Sequence, residues 1–270
     1  MSDRAADFTG SIPAFYDQGL GPIFFAEFAD DIARRVAVSA PTRVLEIAAG
    51  TGIVTRRLRD LLPSQAQLIA TDLNPPMLEV ARGKFRPDEK VEFQPADATA
   101  LPFPDANFDA VVCQFGIMFF PDKDKGHRET HRVLVSGGRY LFSGWDSHRH
   151  NPIGPLITEI LAEFFPDDPP QFYQVPFSYH QIDPIKDSLG AAGFTDLRIA
   201  VLSLSKIIPD VPTYARALVL GNPLIDQIRA RGGVDPERVI EELADALPRK
   251  FGTDPTRIPL QAIVFEAKRR

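Results

Sequence analysis

The chain has 270 residues, with 30 Lys and Arg against 36 Asp and Glu, for a formal net charge of −6. Its 44% hydrophobic and 24% charged composition is that of a soluble globular protein, and the acidic balance offers no electrostatic footprint for nucleic acid. The single cysteine, Cys113, excludes an internal disulfide and fits a cytoplasmic setting.

The first residues, MSDRAADFTGSIPAFYD, lack the apolar core of a signal peptide. In FFAEFADDIARRV, residues Phe25, Phe28, Ala29, Ile32 and Val36 share one helical face, which predicts an amphipathic helix packed on a sheet. Residues 43–145 then alternate short β-rich runs with helical spacing. The predicted strands are 43–47, 67–71, 91–95, 109–115 and 138–145, most of them apolar nearly throughout, as strands covered on both faces are. Between them, IVTRRLRDLL follows a glycine turn, Asn74 and Pro75 signal a helix start, and KDKGHRETHRVL runs to the stop at Ser136-Gly137-Gly138. The longest apolar stretch, VVCQFGIMFFP, is too short to span a bilayer and is broken by Gln114.

After residue 150 the texture changes. Ile153, Leu156, Ile157, Ile160 and Leu161 have helical spacing, a Pro- and aromatic-rich loop covers 166–180, and Ile182, Ile185 and Leu189 mark another helix. Residues 195–208 alternate like a long strand, three helical segments follow, and 259–268 read as a last strand. The alternation predicts an α/β fold: a Rossmann-like, seven-stranded, mostly parallel sheet with helices on both faces, an antiparallel last strand and a helical insertion between the last two strands. Residues 1–270 are expected to form one unit: a helical lid over 1–40, a cofactor-binding core over 41–145, and cover segments over 146–194 and 209–257. The last two strands, 195–208 and 259–268, complete the sheet.

The chemistry starts at VLEIAAGTG (44–52). A glycine turn after a strand lets a backbone approach a ligand closely, and the following helix offers free N–H groups to an anion. Glu46, immediately before Ala48-x-Gly50-x-Gly52, opposes a pyrophosphate and suits a ligand with a cationic end. S-adenosylmethionine, an amino acid, a sulfonium and an adenosine in one molecule, meets that requirement.

Together, VLEIAAGTG, ATDLNPPML (70–78), PADATALPFPDANFDAVV (95–112) and RVLVSGGRYLF (132–142) resemble the class I S-adenosylmethionine-dependent methyltransferases, in particular the group similar to ubiquinone/menaquinone C-methyltransferases. The resemblance spans roughly residues 10–145, and the chain departs from the usual pattern in having Ala48 where the first glycine stands. It implies that Glu46 and the turn (Ala48, Gly50, Gly52) meet the methionine end, that Asp72 accepts the ribose hydroxyls, and that Leu73 and Met77 flank the adenine. It further implies that Asp97 and the Ala98 backbone meet the adenine edge, that the Gln114 backbone faces the amine, and that Tyr16 closes over the cofactor.

The expected reaction is in-line methyl transfer to a small, partly apolar organic acceptor, with Phe115, Phe119, Trp145 and Tyr173 as candidate pocket walls. No catalytic base is assigned; His148 and His150, after the fifth strand, are candidates, and a polar loop explains them as well. His127 and His131 lie four apart, but nothing beside them completes a metal set, so no metal is expected. Two other functions stay open at this point: an NAD(P)-dependent oxidoreductase on a similar sheet, and a non-catalytic module that binds S-adenosylmethionine. The oligomeric state is also open, a homodimer among the options.

Overall fold

The computed structural model describes residues 5–270 and contains a seven-stranded sheet of order β3-β2-β1-β4-β5-β7-β6. β1 (Arg43–Ile47), β2 (Gln67–Asp72), β3 (Val91–Pro95), β4 (Phe108–Gln114) and β5 (Leu134–Trp145) pair in parallel. β7 (Arg257–Arg269) runs antiparallel between β5 and the edge strand β6 (Phe194–Ile207). The expected fold class is borne out, including the antiparallel last strand and the helices inserted before it.

Helices cover both faces because the inner strands are apolar on both. α2 (Ala26–Ala37) buries Ala29, Ile32, Ala33 and Val36 on one face of the sheet, against Val44, Leu68, Ala110 and Leu141, and Phe28 against Phe115 and Trp145. Each of its large side chains contributes roughly 1.5–3 kcal/mol of burial free energy. α3 (Ile53–Leu61), α4 (Pro75–Arg82), α5 (Lys123–Val133) and α7 (Ile182–Ala191) complete the two helical layers.

The chain steps outward from β1 to β3 and then returns to place β4 on the other side of β1. At such a reversal the helices on either side diverge and leave a crevice at the carboxyl ends of the strands. An N-terminal strap borders it, and α6 (Ile153–Phe164), α8 (Val211–Leu220), α9 (Leu224–Arg231) and α10 (Pro236–Phe251) pack in one apolar cluster with that strap. The strap runs through α1 (Ile12–Phe15) into a wide π-helical segment, Tyr16–Phe25, whose Pro22 donates no backbone hydrogen bond. It docks so closely on α8 that a Cβ at Gly19 would stand 2.2 Å from the Cβ of Ala217.

Two local expectations change, at the start of β5 and at Asn74. β5 begins at Leu134 instead of 138, because a bulge absorbs the Gly137-Gly138 pair: the register steps from Phe108↔Leu134 to Ala110↔Arg139, with Gly137 at φ +78°. The strap is helical from Ile12 onward, ahead of the amphipathic run, and residues 1–4 of the expected lid lie outside the described residues. Asn74 precedes α4 but does not cap it with its side chain, which is occupied elsewhere. Among the described residues no helix is long and apolar enough to cross a membrane.

Candidate cofactor and acceptor site

β1 leaves the sheet through residues at positive φ: Ala48 (+53°), Gly50 (+56°) and Gly52 (+78°). Ala48 holds a left-handed conformation that costs an L-residue about 1–2 kcal/mol, and its Cβ fills the space above Gly116, where a second Cβ would stand only 2.4 Å away. Gly50 lines the crevice, 3.4 Å of added Cβ from Met77 Cε. Gly52 does not line it. Its position packs the start of α3 on α4, where a Cβ would lie 2.9 Å from that of Ala81, so helix contact, and not ligand approach, requires the glycine.

The crevice at these strand ends encloses about 1180 Å³ of empty space, part of it open to solvent. Glu46 lines it at 2% exposure, and its Oε2 has no hydrogen-bond partner. Burial, reinforced by the charge of Asp72, pushes the Glu46 carboxyl up to about 8. A buried carboxylate without a partner is costly unless a cation meets it, so the chemistry of the residue fits a ligand with an ammonium or sulfonium end.

Asp72 ends β2 at 7% exposure. Its Oδ2 accepts the Gly50 N–H at 2.8 Å, and its Oδ1 accepts the Asn74 N–H at 2.8 Å. Burial raises its pKa, and these hydrogen bonds oppose the rise. Asn74 extends the network to the strap: its Nδ2 donates to the Ala6 carbonyl at 2.9 Å, and its Oδ1 accepts the Phe8 N–H at 3.2 Å. Asp97, after β3, accepts from Thr99 N and Oγ1 through one oxygen, at 2.7 and 2.8 Å. Ala98 lines the crevice beside it. Leu73 is 57% exposed at the rim, whereas Met77 is buried beneath Gly50. Gln114 ends β4, donates to the Phe25 carbonyl at 3.3 Å and leaves a buried Oε1 unpartnered. Tyr16 stacks on Phe25 at 4.9 Å, and burial beside the Asp72 charge raises its hydroxyl pKa, so it is neutral at ordinary pH.

A second cavity, about 530 Å³ of empty space with part of it open to solvent, adjoins the first and shares Phe8, Tyr16, Phe25, Phe115 and Phe119 with it. Its walls are aromatic: Phe24, Trp145, Phe172, Tyr173 and Phe177 complete them, with Asn222 as the one side-chain amide. Phe115, Phe119, Trp145 and Tyr173 all line it, where the sequence suggested pocket walls. Phe8, Phe24, Phe172 and Asn222 carry no signal in the sequence that separates them from core or loop residues. They reach the cavity only because the strap, the loop after α6 and the α8–α9 junction fold over it.

His148 and His150 line neither cavity. His148 packs on Phe177 and contacts the Tyr173 carbonyl at 3.3 Å from behind the wall, and His150 is exposed. The structure thus places neither candidate base on the wall of either cavity. His127 and His131 diverge, the first toward the Tyr179 hydroxyl at 3.1 Å and the second onto Phe194. Among the described residues no cluster of three potential metal ligands exists.

The strand order, the glycine turn and the carboxylates at the ends of β1 and β2 define a Rossmann-like protein built for a nucleoside ligand with a cationic end. The profile of a methyltransferase domain matches residues 45–142. A demethylmenaquinone methyltransferase of Thermus thermophilus is 46% identical over 103 residues, 38% of this chain and 46% of that protein. A ubiquinone/menaquinone biosynthesis C-methyltransferase of Serratia proteamaculans is 31% identical over 168 residues, 57% of this chain and 67% of that protein. Several of these curated relatives are matched over only about half their length. Among solved structures, a phosphoethanolamine N-methyltransferase of Haemonchus contortus in complex with S-adenosyl-L-methionine shares the fold, at TM-score 0.53 and 18% identity over 97% of this chain and 61% of that one. The YcgJ protein of Bacillus subtilis does so at TM-score 0.59 and 20% identity, over 89% and 98% of the two chains. The chain belongs to the class I S-adenosylmethionine-dependent methyltransferase family, in the group similar to the ubiquinone/menaquinone C-methyltransferases.

Proposed function

We propose that the protein transfers a methyl group from S-adenosylmethionine to a small, flat, largely apolar acceptor seated in the aromatic cavity. The observation that carries this reading is the junction of the two cavities: a polar crevice holding the buried Glu46, whose Oε2 has no partner, shares five wall residues with an aromatic chamber. In the first, Glu46 and the Ala48–Gly50 turn hold the amino-acid end, Asp72 accepts the ribose hydroxyls, and Asp97 with the Ala98 backbone meets the adenine edge. Leu73 and Met77 flank that ring. Tyr16 and Gln114 close the crevice toward the strap.

The donor supplies a methyl carbon made electrophilic by the adjacent positive sulfur. The chain's part is alignment and exclusion of water, which together account for a large share of such a barrier. The aromatic walls at Phe115, Phe25 and Phe119 line both spaces and set the direction of approach. Among the described residues no carboxylate, imidazole or amine lines the acceptor cavity. The acceptor atom is therefore one that is nucleophilic without a dedicated base, and any proton leaves after methyl transfer. A pyrophosphate-bearing nicotinamide cofactor is disfavoured by the buried Glu46.

Calorimetry with S-adenosylhomocysteine tests the first half: Asp72→Asn and Glu46→Gln should each weaken binding by about 100-fold, and tight binding of NADH instead would sink it. Methyl-labelled donor with a panel of aromatic metabolites tests the second. Labelling only of protein or RNA would overturn the acceptor assignment, and binding without turnover on any acceptor would favour a non-catalytic module.

A further inference from the structure

Resting on the reading of the aromatic cavity as the acceptor chamber, we propose that Asn222 and Tyr173 select an acceptor that presents a hydrogen-bond donor, a hydroxyl or amine on a flat apolar ring, over its carbonyl counterpart. Both residues line the cavity and are nearly buried, at 3% and 5% exposure. A polar pair at the wall of an otherwise aromatic space orients whatever enters, because a buried polar group on the ligand must find its complement there.

The donors of this pair are all used. Asn222 Nδ2 donates to the Tyr173 hydroxyl at 3.1 Å and to the Leu218 carbonyl at 2.9 Å. The Tyr173 hydroxyl donates its proton to the same carbonyl at 2.9 Å. Asn222 Oδ1 accepts the Leu224 N–H at 3.0 Å. The orientation of the amide is thereby fixed from both ends, since a flipped Asn222 would turn its oxygen on the Leu218 carbonyl and its N–H on the Leu224 N–H. An amide oxygen carries two lone pairs, so Oδ1 keeps one free. What remains on this pair is acceptor capacity alone. Tyr214, whose hydroxyl lies buried nearby without a hydrogen bond, does not line the cavity. A ligand hydroxyl or amine can satisfy the free lone pair, whereas a ketone oxygen there meets only other lone pairs. Sites of this kind discriminate strongly, because the mismatched analogue leaves buried polar groups unpaired.

The test is a calorimetric titration of the protein saturated with S-adenosylhomocysteine, using 1-naphthol, 1-naphthylamine and the similarly sized ketone 1-tetralone. Naphthol and naphthylamine should bind at least about tenfold tighter than the ketone. Tyr173→Phe keeps the ring and releases one Asn222 N–H into the cavity, so it should bind 1-tetralone several-fold more tightly than the unaltered protein does. A role confined to packing would not produce that gain. Equal affinities for alcohol and ketone, or a Tyr173→Phe variant with an unchanged ratio, would overturn this inference alone. Loss of all three ring ligands with S-adenosylhomocysteine still bound would sink the acceptor reading and this inference with it.

Discussion

The Phe115 ring lies flat on the Trp145 indole, with centroids 4.0 Å apart and planes 10° from parallel. Phe115 follows β4 and lines both cavities, and Trp145 ends β5 and lines only the second. Phe28 meets both rings edge-on at 5.5 and 5.4 Å, so α2 braces the pair from behind.

Trp145 is the only tryptophan of the chain, so its emission reports on the aromatic cavity it lines without labelling. A flat aromatic ligand should change that emission saturably. Phe115→Leu should weaken such a ligand about 2–10-fold, the worth of one aromatic contact, and lower stability by about 1–2 kcal/mol. Titration of tryptophan fluorescence measures the first, and urea unfolding the second.

Glu46 makes stability depend on pH in a direction opposite to that of most carboxylates. Its folded pKa, about 8, lies above its ordinary value of 4.5. Between these pH values the folded protein holds a proton that the unfolded chain releases. Stability of the ligand-free protein therefore falls as pH rises through that window and levels off above it. Glu46→Gln should flatten this slope and raise stability at pH 8 by about 2–4 kcal/mol, while abolishing tight cofactor binding. Thermal melts from pH 5 to 8.5, with and without S-adenosylhomocysteine, check both outcomes.

Ala48 and Gly116 compete for one space. Gly116→Ala should cost about 1–3 kcal/mol by overpacking, because the new Cβ meets Ala48 Cβ at 2.4 Å and Cys113 Sγ at 2.9 Å. Ala48→Gly relieves the left-handed strain but adds freedom to the unfolded chain, so alone it should change stability by less than about 1 kcal/mol. In the Gly116→Ala background it should recover clearly more. A double-mutant cycle by urea unfolding reads the difference as coupling.

Asn74 ties the strap to the carboxylate at the end of β2. Asn74→Ala removes the bonds to Ala6 and Phe8 as well as the side-chain contact with Asp72. The Phe8 amide should lose its protection from hydrogen exchange, and S-adenosylhomocysteine should bind about 5–10-fold more weakly. Unchanged protection of that amide would show that the aromatic contacts of Phe8 hold the strap without the latch.

The parallel core was legible because its strands are buried on both faces and read as continuous apolar runs, with helix periods between them. The start of β5 was not, since Ser136-Gly137-Gly138 signals a stop locally and only pairing with β4 turns it into a bulge. In the same way Gly52 has the spacing of a ligand-binding glycine, yet its neighbour Ala81 comes from a helix 29 positions later in the chain, which no local pattern records.

The residues proposed to recognise the methyl donor come from strand ends and the turns that follow them, where a carboxylate or glycine has fixed neighbours in the chain. For that reason Glu46 and Gly50 could be proposed from the residues themselves, and Asp72 and Asp97 through the family resemblance. The aromatic cavity has no such local order. Phe8, Phe24, Trp145, Tyr173 and Asn222 meet there only because the strap, the loop after α6 and the α8–α9 junction, far apart in sequence, bury their apolar surfaces over the carboxyl ends of β4 and β5. An aromatic residue in a core and one on a cavity wall follow the same hydrophobic pattern. Which of them borders empty space, and which polar atoms face it, was decided by the packing of distant segments.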